Sequence, residues 1–353
     1  MNNNEEELRL SNSIGTDHAP GDVRRNGIEV FCQSLPESMQ GKIDSNVVDD
    51  SVEDIHSHER RLANHIIQYY SDHCALKTKV ATVFYKTGKI NIQIKETNDE
   101  EIVMYIPEKW TLFFQSMLVL SSTMQEDWDN LEQVGNTYVA LLAHIDSVYH
   151  RGNLTPYNAQ NTIDECIRSL ESNFAKIANL SFAIFAFAIC HELSHIVLNH
   201  GQKEIPVVDR EIEADTHAYI MFLRLIQNYL RGNNREIAIT ECFQHYVVNA
   251  PQILLKLYAT AHNYLLIVYG ERQSQRYPDF LLRKQALFEM QKNMPTEKWL
   301  ALCEEIDTTT LFNQDAMNFF IIIQEACDYF VEQTDLKKQR GKLDVLNKID
   351  SGE

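Results

Sequence analysis

The most informative segment of the chain runs from Ser181 to Tyr219 and reads SFAIFAFAICHELSHIVLNHGQKEIPVVDREIEADTHAY. Its first part is uniformly apolar from Phe182 to Cys190, and a helix that is apolar all round is buried. A polar loop that ends at Pro206 follows, and helical spacing resumes near residue 208. The segment therefore predicts two consecutive helices, 181–200 and 208–231, with the first in the protein core.

The first helix carries two histidines, His191 and His195, with Glu192 beside the first. Residues four apart lie about 40° apart around a helix, so both imidazoles emerge on one face and can bind one ion. Zinc accepts two histidine nitrogens and keeps a position open for water. Glu192 is adjacent to the first ligand and is placed to act as a general base. Two solvent-facing histidines are the alternative, but polar groups in a buried helix need partners, and a metal supplies them.

The second helix offers three carboxylates, beginning sixteen residues after His195. Glu211 and Asp215 are four apart and share one helix face, whereas Glu213 points roughly opposite. We predict that Glu211 is the third metal ligand. Asp215 is predicted to accept a hydrogen bond from a ligating imidazole and hold its tautomer. A solvated charged face is the alternative for this helix.

These motifs together resemble the gluzincin class of zinc metallopeptidases, in which an ExxxD helix follows HExxH. The ExxAD form, with Ala214 between Glu211 and Asp215, is similar to the membrane-bound heat-shock and prenyl-protein peptidases and to the cytosolic ImmA/IrrE-like peptidases. In general plan the chain is also similar to the phage-exclusion (Lit-like) peptidases. The heat-shock, prenyl-protein and ImmA/IrrE-like families commonly have a glycine where this chain has Ser194. The resemblance covers about 180–290 and implies a zincin-like helical domain with bound Zn2+.

A second similarity lies at Tyr277-Pro278 followed by Arg283, where the membrane peptidases carry His-Pro-x4-Arg. We predict that the Tyr277 hydroxyl donates a hydrogen bond to the oxyanion of the transition state. An aromatic ring that packs a helix start is the alternative for this residue. The further candidates for this donor are His245, Tyr246, His262 and Arg283.

Composition narrows the possible partners. The chain has 353 residues, with 32 Lys and Arg against 50 Asp and Glu and a formal net charge of −18. Such an acidic surface repels phosphate backbones and anionic lipids, so we expect neither nucleic acid nor membrane as a partner. The seven cysteines form no CxxC pair, which is typical of free thiols in a reducing compartment. The start of the chain is polar, and the longest apolar run, Leu180 to Cys190 with Ser181 inside it, has 11 residues, so a cytoplasmic location is expected.

The predicted fold class is mainly α (α+β), a zincin-like helical domain with a small antiparallel β-meander. An acidic, largely disordered segment is predicted at 1–58 and a polar tail at 336–353. The metallopeptidase domain is predicted at 59–335, with the meander at 79–106 and the active-site helices at 181–231. Further helices are predicted at 59–71, 108–124, 126–150, 157–177, 234–247, 251–269, 278–292, 296–305 and 314–333.

The predicted function is a cytosolic zinc endopeptidase that acts on a protein or peptide substrate. An extended peptide would bind along a strand edge of the meander. Stress response and phage defence are the settings that the resemblance implies, and a regulatory partner remains open. The alternative is a non-catalytic sensor or interaction protein in which zinc staples helices. A structural zinc is closed by four ligands, and Cys32 or His200 would be the fourth, although His200 is more typical of a helix C-terminal cap.

Overall fold

The computed structural model describes residues 57–74, 79–85, 91–98, 101–107, 109–126, 174–231, 249–269, 277–295 and 321–332, with a few single positions between them. The predicted acidic segment as far as residue 56, the predicted helix 234–247 and the polar tail 336–353 lie outside the described residues. The same holds for most of the predicted helices 126–150, 157–177 and 296–305.

The elements in chain order are helix α1 (Ser57–His73), strands β1 (Lys79–Tyr85), β2 (Gln93–Asn98) and β3 (Glu101–Pro107), and helices α2 (Trp110–Glu126), α3 (Phe174–Val197), α4 (Val207–Arg231), α5 (Ala250–Tyr269) and α6 (Tyr277–Asn293). Residues 321–332 are also helical. The predicted class, mainly α with a small sheet, is confirmed. The predicted bounds of α2, α4, α5 and α6 agree with the observed bounds to within two residues at each end.

Helix α3 is the centre of the core. Every residue from Ala183 to Cys190 is buried, and α3 packs against α1, α2, α4 and α5. Full burial of a large apolar side chain stabilises a fold by roughly 1.5–3 kcal/mol, so this helix is a main source of stability. It also carries the predicted metal-binding histidines, which are therefore set on a rigid element.

The observed ends of α3 differ from the prediction. The helix is continuous from Phe174, so the predicted break between residues 177 and 181 is wrong. No glycine or proline interrupts this part, and Ile177 and Leu180 are both buried. The helix ends at Val197 rather than at residue 200, because Asn199 adopts a left-handed conformation with φ 55°. Asparagine is one of the few residues that tolerate this conformation.

The sheet is mixed, and the predicted antiparallel meander is wrong. The strand order is β1-β3-β2, with β1 parallel to β3 and β2 antiparallel to β3. Strand β3 is the most deeply buried of the three along its length, so it lies in the centre, where both of its edges are paired. Strand β2 carries polar residues such as Gln93 and Lys95 and is an edge strand of this sheet.

One helix among the described residues is long and apolar enough to cross a membrane by length and composition. It is the part of α3 from Leu180 to Val197, with a mean hydropathy of 1.7. However, 72% of this segment is buried inside the molecule, and core helices meet the same criterion. The finding is weak evidence for a membrane span.

Candidate metal centre and active site

Two adjacent helices bring three possible metal ligands together. His191 and His195 lie one turn apart on α3, and Glu211 lies in the second turn of α4. One ligand atom from each residue lies within 4.8 Å of the others. The two Nε2 atoms are 3.1 Å apart, and the Glu211 carboxylate oxygens lie 3.3 Å from Nε2 of His191 and 3.7 Å from Nε2 of His195.

These distances fit a divalent metal ion. Ligands about 2.0–2.1 Å from a tetrahedral zinc are about 3.3 Å from each other, and the three observed separations range from 3.1 to 3.7 Å. Two imidazoles and one carboxylate are the donor set of catalytic rather than structural zinc sites. Among the residues that the structure describes, this is the one group of three or more such side chains close enough to hold an ion.

Asp215 lies behind His191, and its role as the partner of a metal-ligating imidazole stays a prediction. Its Oδ1 is 2.8 Å from the other ring nitrogen, Nδ1 of His191, and its side chain is 2% exposed. A carboxylate in this position orients the imidazole and keeps Nε2 directed at the metal position.

Arg283 joins α6 to the carboxylates of α4. Its Nε and Nη2 bind the two oxygens of Asp215 at 2.7 and 2.8 Å, and its Nη1 lies 2.8 Å from Oε2 of Glu211. The sequence analysis offered Arg283 as an oxyanion donor, but the structure directs three of its nitrogens to these two carboxylates. A planar guanidinium suits such a bidentate contact, and its charge compensates two acidic groups in a buried place.

The protonation of the metal-free centre follows from these contacts. Burial alone would lower the pKa of His191, but Asp215 and Glu211 outweigh it and raise this pKa to about 9. Burial raises the pKa of Glu211, yet His191 and Arg283 hold it well below its usual range. Burial, followed by the neighbouring His191, lowers the pKa of His195 to about 3. The metal-free centre therefore holds a protonated His191 and a neutral His195 at neutral pH.

His195 has a partner that the sequence analysis did not find. Its Nδ1 lies 2.7 Å from Nδ1 of His200, and Nε2 of His200 lies 3.1 Å from Oε2 of Glu213. The sequence assigned His200 to a helix cap and Glu213 to the opposite helix face. The left-handed Asn199 turns the chain back after α3 and brings His200 beside His195. An asparagine and a glycine that flank His200 are the local signal of this turn.

Glu192 faces the same space as the metal ligands. It lines a cavity of about 400 Å3 together with His191, His195, Glu211 and Arg283. The apolar wall of this cavity comes from α3, α5 and α6 and consists of Phe187, Ala188, Leu254, Leu255, Tyr258 and Phe280. Residues 91–95, at the start of β2, also line the cavity. A group bound in this cavity would thus contact the predicted base and the metal position together.

Of the other predicted oxyanion donors, three have side chains outside the described residues and one does not line the cavity. Tyr277 is the first residue of α6, and its side chain lies outside the described residues. His245 and Tyr246 also lie outside the described residues, as does Cys32. His262 is buried on α5, and its ring centroid lies 5.1 Å from that of Phe280, a residue of the cavity wall. His262 itself does not line the cavity.

The arrangement places two histidines and a carboxylate around one point that could hold a metal ion, with a glutamate at the same cavity. A family model described as Peptidase U49 matches residues 121–295, just under half of the chain, and this range includes every residue of the centre. The match supports a peptidase and thus a proteolytic function. No curated protein and no solved structure matches the chain.

Proposed function

We propose that this protein is a zinc-dependent endopeptidase that hydrolyses peptide bonds of a cytosolic protein substrate. The observation that carries the proposal is the convergence of His191, His195 and Glu211, whose ligand atoms lie within 4.8 Å of one another. The match to Peptidase U49 supports the proteolytic part. A stress or phage-defence role is proposed from the resemblance of the sequence to peptidases with those roles.

Each residue of the site would have its own role in the hydrolysis. A bound zinc supplies Lewis-acid chemistry, which polarises a carbonyl and makes water more acidic. Glu192 takes a proton from the attacking water and passes it to the leaving amine. Asp215 and Arg283 keep His191 and Glu211 in position. Tyr277, at the start of α6, is proposed as the hydrogen-bond donor to the oxyanion.

An extended substrate fits the walls of the site. Residues 91–95, at the start of the edge strand β2, line the cavity of about 400 Å3. A second cavity, of about 580 Å3, lies next to it and shares Ile94, His195 and Glu211. An edge strand can pair with an extended peptide through backbone hydrogen bonds. Because two cavities share the proposed ligands His195 and Glu211, the proposed substrate is the interior of a chain rather than its end.

The geometry gives less support to a zinc-stapled sensor or interaction protein. A structural zinc would need a fourth protein ligand, and the group among the described residues has three. His200, one predicted fourth ligand, directs its Nδ1 to the outer nitrogen of His195. The catalytic arrangement, with one position left for water, is therefore the preferred proposal.

The decisive experiment combines metal analysis with a proteome-wide cleavage assay of wild type and Glu192→Gln. We expect about one zinc per chain in both proteins, and activity several orders of magnitude lower in the variant, because proton transfer is lost while the ligands remain. Glu204→Gln, a change of an exposed residue in the loop before α4, is the matched control.

Two further variants test the ligands. His191→Ala and Glu211→Ala should each lose the zinc. Full zinc content in both would contradict the proposed metal centre, and unchanged turnover of Glu192→Gln would show that another group is the base.

A further inference from the structure

The two histidines of the proposed metal centre have different kinds of side chain as partners of their outer nitrogens. His191 has a buried carboxylate behind it, Asp215. His195 has a second imidazole behind it, that of His200, which is 3% exposed. The far side of His200 meets Glu213, and Lys203 binds the same Glu213 oxygen at 2.9 Å. A line of side chains thus runs from the centre to a half-exposed carboxylate at the surface.

The carboxylate of Glu213, at the outer end of this line, determines which nitrogens carry hydrogens. A carboxylate accepts hydrogen bonds and donates none, so Nε2 of His200 carries the hydrogen that is directed at Glu213. A neutral imidazole has one N–H, so Nδ1 of His200 is then an acceptor. The Nδ1 of His195, 2.7 Å away, must therefore be the donor. This leaves Nε2 of His195 without a hydrogen, as a metal ligand must be.

If the hydrogen of His200 were on its other nitrogen, His195 could not bind the metal. If Nδ1 of His200 carried the hydrogen, Nδ1 of His195 would have to accept it, and a neutral His195 would then carry its own hydrogen on Nε2. That hydrogen would point into the space between His191 and Glu211, which lie 3.1 and 3.7 Å from this nitrogen. Glu213 prevents this assignment because it requires a hydrogen on the other nitrogen of His200.

We propose that His200, oriented by Glu213, is a positioning residue that holds His195 in the tautomer that presents a bare Nε2 to the metal. This inference rests on the proposed metal centre and deepens it. Neither residue touches the substrate or the metal position; both act through His195. Outer partners of ligating histidines typically contribute about 10–100-fold in metal affinity, and that is the size of effect expected for His200.

The test measures zinc affinity of the purified full chain by competition with a chelator, in His200→Asn, His200→Leu and Glu213→Gln. We expect affinity about 10–100-fold lower in His200→Leu. His200→Asn should recover part of this loss, because its amide oxygen can accept near the position of Nδ1. Glu213→Gln should also bind zinc more weakly, by a smaller factor, because an amide can donate as well as accept and no longer fixes the hydrogen on Nε2 of His200. The matched controls are His65→Asn and Glu204→Gln, which alter exposed residues that are not members of the line and should keep wild-type affinity.

A second readout is independent of metal and of activity. Proton–nitrogen correlation spectra of histidine-labelled, metal-free protein report which nitrogen of His195 carries the hydrogen. We expect the hydrogen on Nδ1 in the wild type and a shift towards Nε2 in His200→Leu. A purely structural role for His200 would lower the melting temperature without moving this tautomer.

The outcomes separate this inference from the proposed function. If the wild type binds zinc and His200→Leu binds it equally well with an unchanged tautomer, the positioning role is overturned and the metal centre stands. If the wild type binds no zinc, the proposed function fails, and the tautomer measurement still decides the role of His200. Should His200→Leu not fold, Glu213→Gln, a change at a half-exposed residue, carries the same test.

Discussion

Ser194 lies inside the HExxH motif, at the position that is commonly glycine in the families the sequence resembles. Its Oγ donates to the Cys190 carbonyl at 2.7 Å and lies 2.9 Å from Nδ1 of His217 and 3.2 Å from the hydroxyl of Tyr70. Tyr70 also donates to the Cys190 carbonyl, at 2.9 Å. These contacts join α1, α3 and α4 at residues next in sequence to the proposed metal ligands of α3, which explains why a serine suits this chain.

We expect Ser194→Ala to destabilise the fold by about 1 kcal/mol, because it removes the buried hydrogen bonds of this hydroxyl and leaves Nδ1 of the part-buried His217 without this partner. The free energy of unfolding in urea measures this effect. Ser71→Ala is the matched control, since the Ser71 hydroxyl makes the same kind of backbone contact, to Ile67, on an exposed residue. Equal stabilities of the two variants would contradict the role that we assign to the Ser194 contacts.

Asp215 provides a second test at the scale of one residue. Because it orients His191 and does not itself belong to the ligand group, Asp215→Asn should weaken zinc binding by about 10–100-fold. Glu211→Gln, which removes the charge of a ligand, should weaken it more. Chelator competition compares the two, and a greater loss in Asp215→Asn would mean that the roles of the carboxylates are exchanged.

At the scale of elements, the centre depends on how α6 packs against α4. The contact between these two helices includes Arg283 of α6. The Arg283 residue is 9% exposed and binds two carboxylates of α4. A buried group of opposite charges contributes little net stability, but removing one partner leaves the others uncompensated. The position of α6 is therefore coupled to the geometry of the proposed metal ligands.

Arg283→Met should destabilise the protein by about 3–5 kcal/mol, since it leaves Asp215 and Glu211 buried without their cation. Arg283→Lys should recover part of the loss, because it restores the charge without the bidentate contact. Urea unfolding measures both variants. Lys292→Met, an exposed change on the same helix, should be nearly neutral, and a similar loss in this control would contradict the argument.

At the scale of the whole molecule, buried histidines set the response of the metal-free protein to pH. The folded state raises the pKa of His191 from its ordinary value of 6.5 to about 9. Protonated His191 therefore stabilises the fold fully at pH values below 6.5, and this stabilisation is lost as the pH rises through 9. The folded state lowers the pKa of His195 to about 3 and, by burial, that of His144 to about 4. These two histidines therefore lower stability as the pH falls below 6.5.

The metal-free protein should thus be most stable near the ordinary histidine pKa of 6.5. Thermal unfolding with a chelator, over a series of pH values, should show a loss of the order of 3 kcal/mol between 6.5 and 9. In His191→Asn the decline above 6.5 should disappear. A wild type whose stability rises steadily to pH 9 would contradict the charged state of His191.

The sequence by itself determined the helices that carry the proposed metal centre and which of its residues share a helix face. The apolar run to Cys190 predicted a buried helix, and the four-residue spacings of His191 with His195 and of Glu211 with Asp215 predicted shared faces. These predictions succeed because helix geometry is local: rise and rotation per residue are the same in every helix. The position of Asp215 behind His191 followed from the same geometry.

The tertiary structure decided what depends on partners far apart in the chain. The sequence showed the strands but not that β1 pairs in parallel with β3, because strand periodicity reports burial and not the identity of neighbours. Arg283 meets Asp215 across 68 residues, and His200 meets Glu213 through a turn and a helix start. Such contacts arise when elements pack together, since charged and polar groups in a core take whichever partners packing brings within reach.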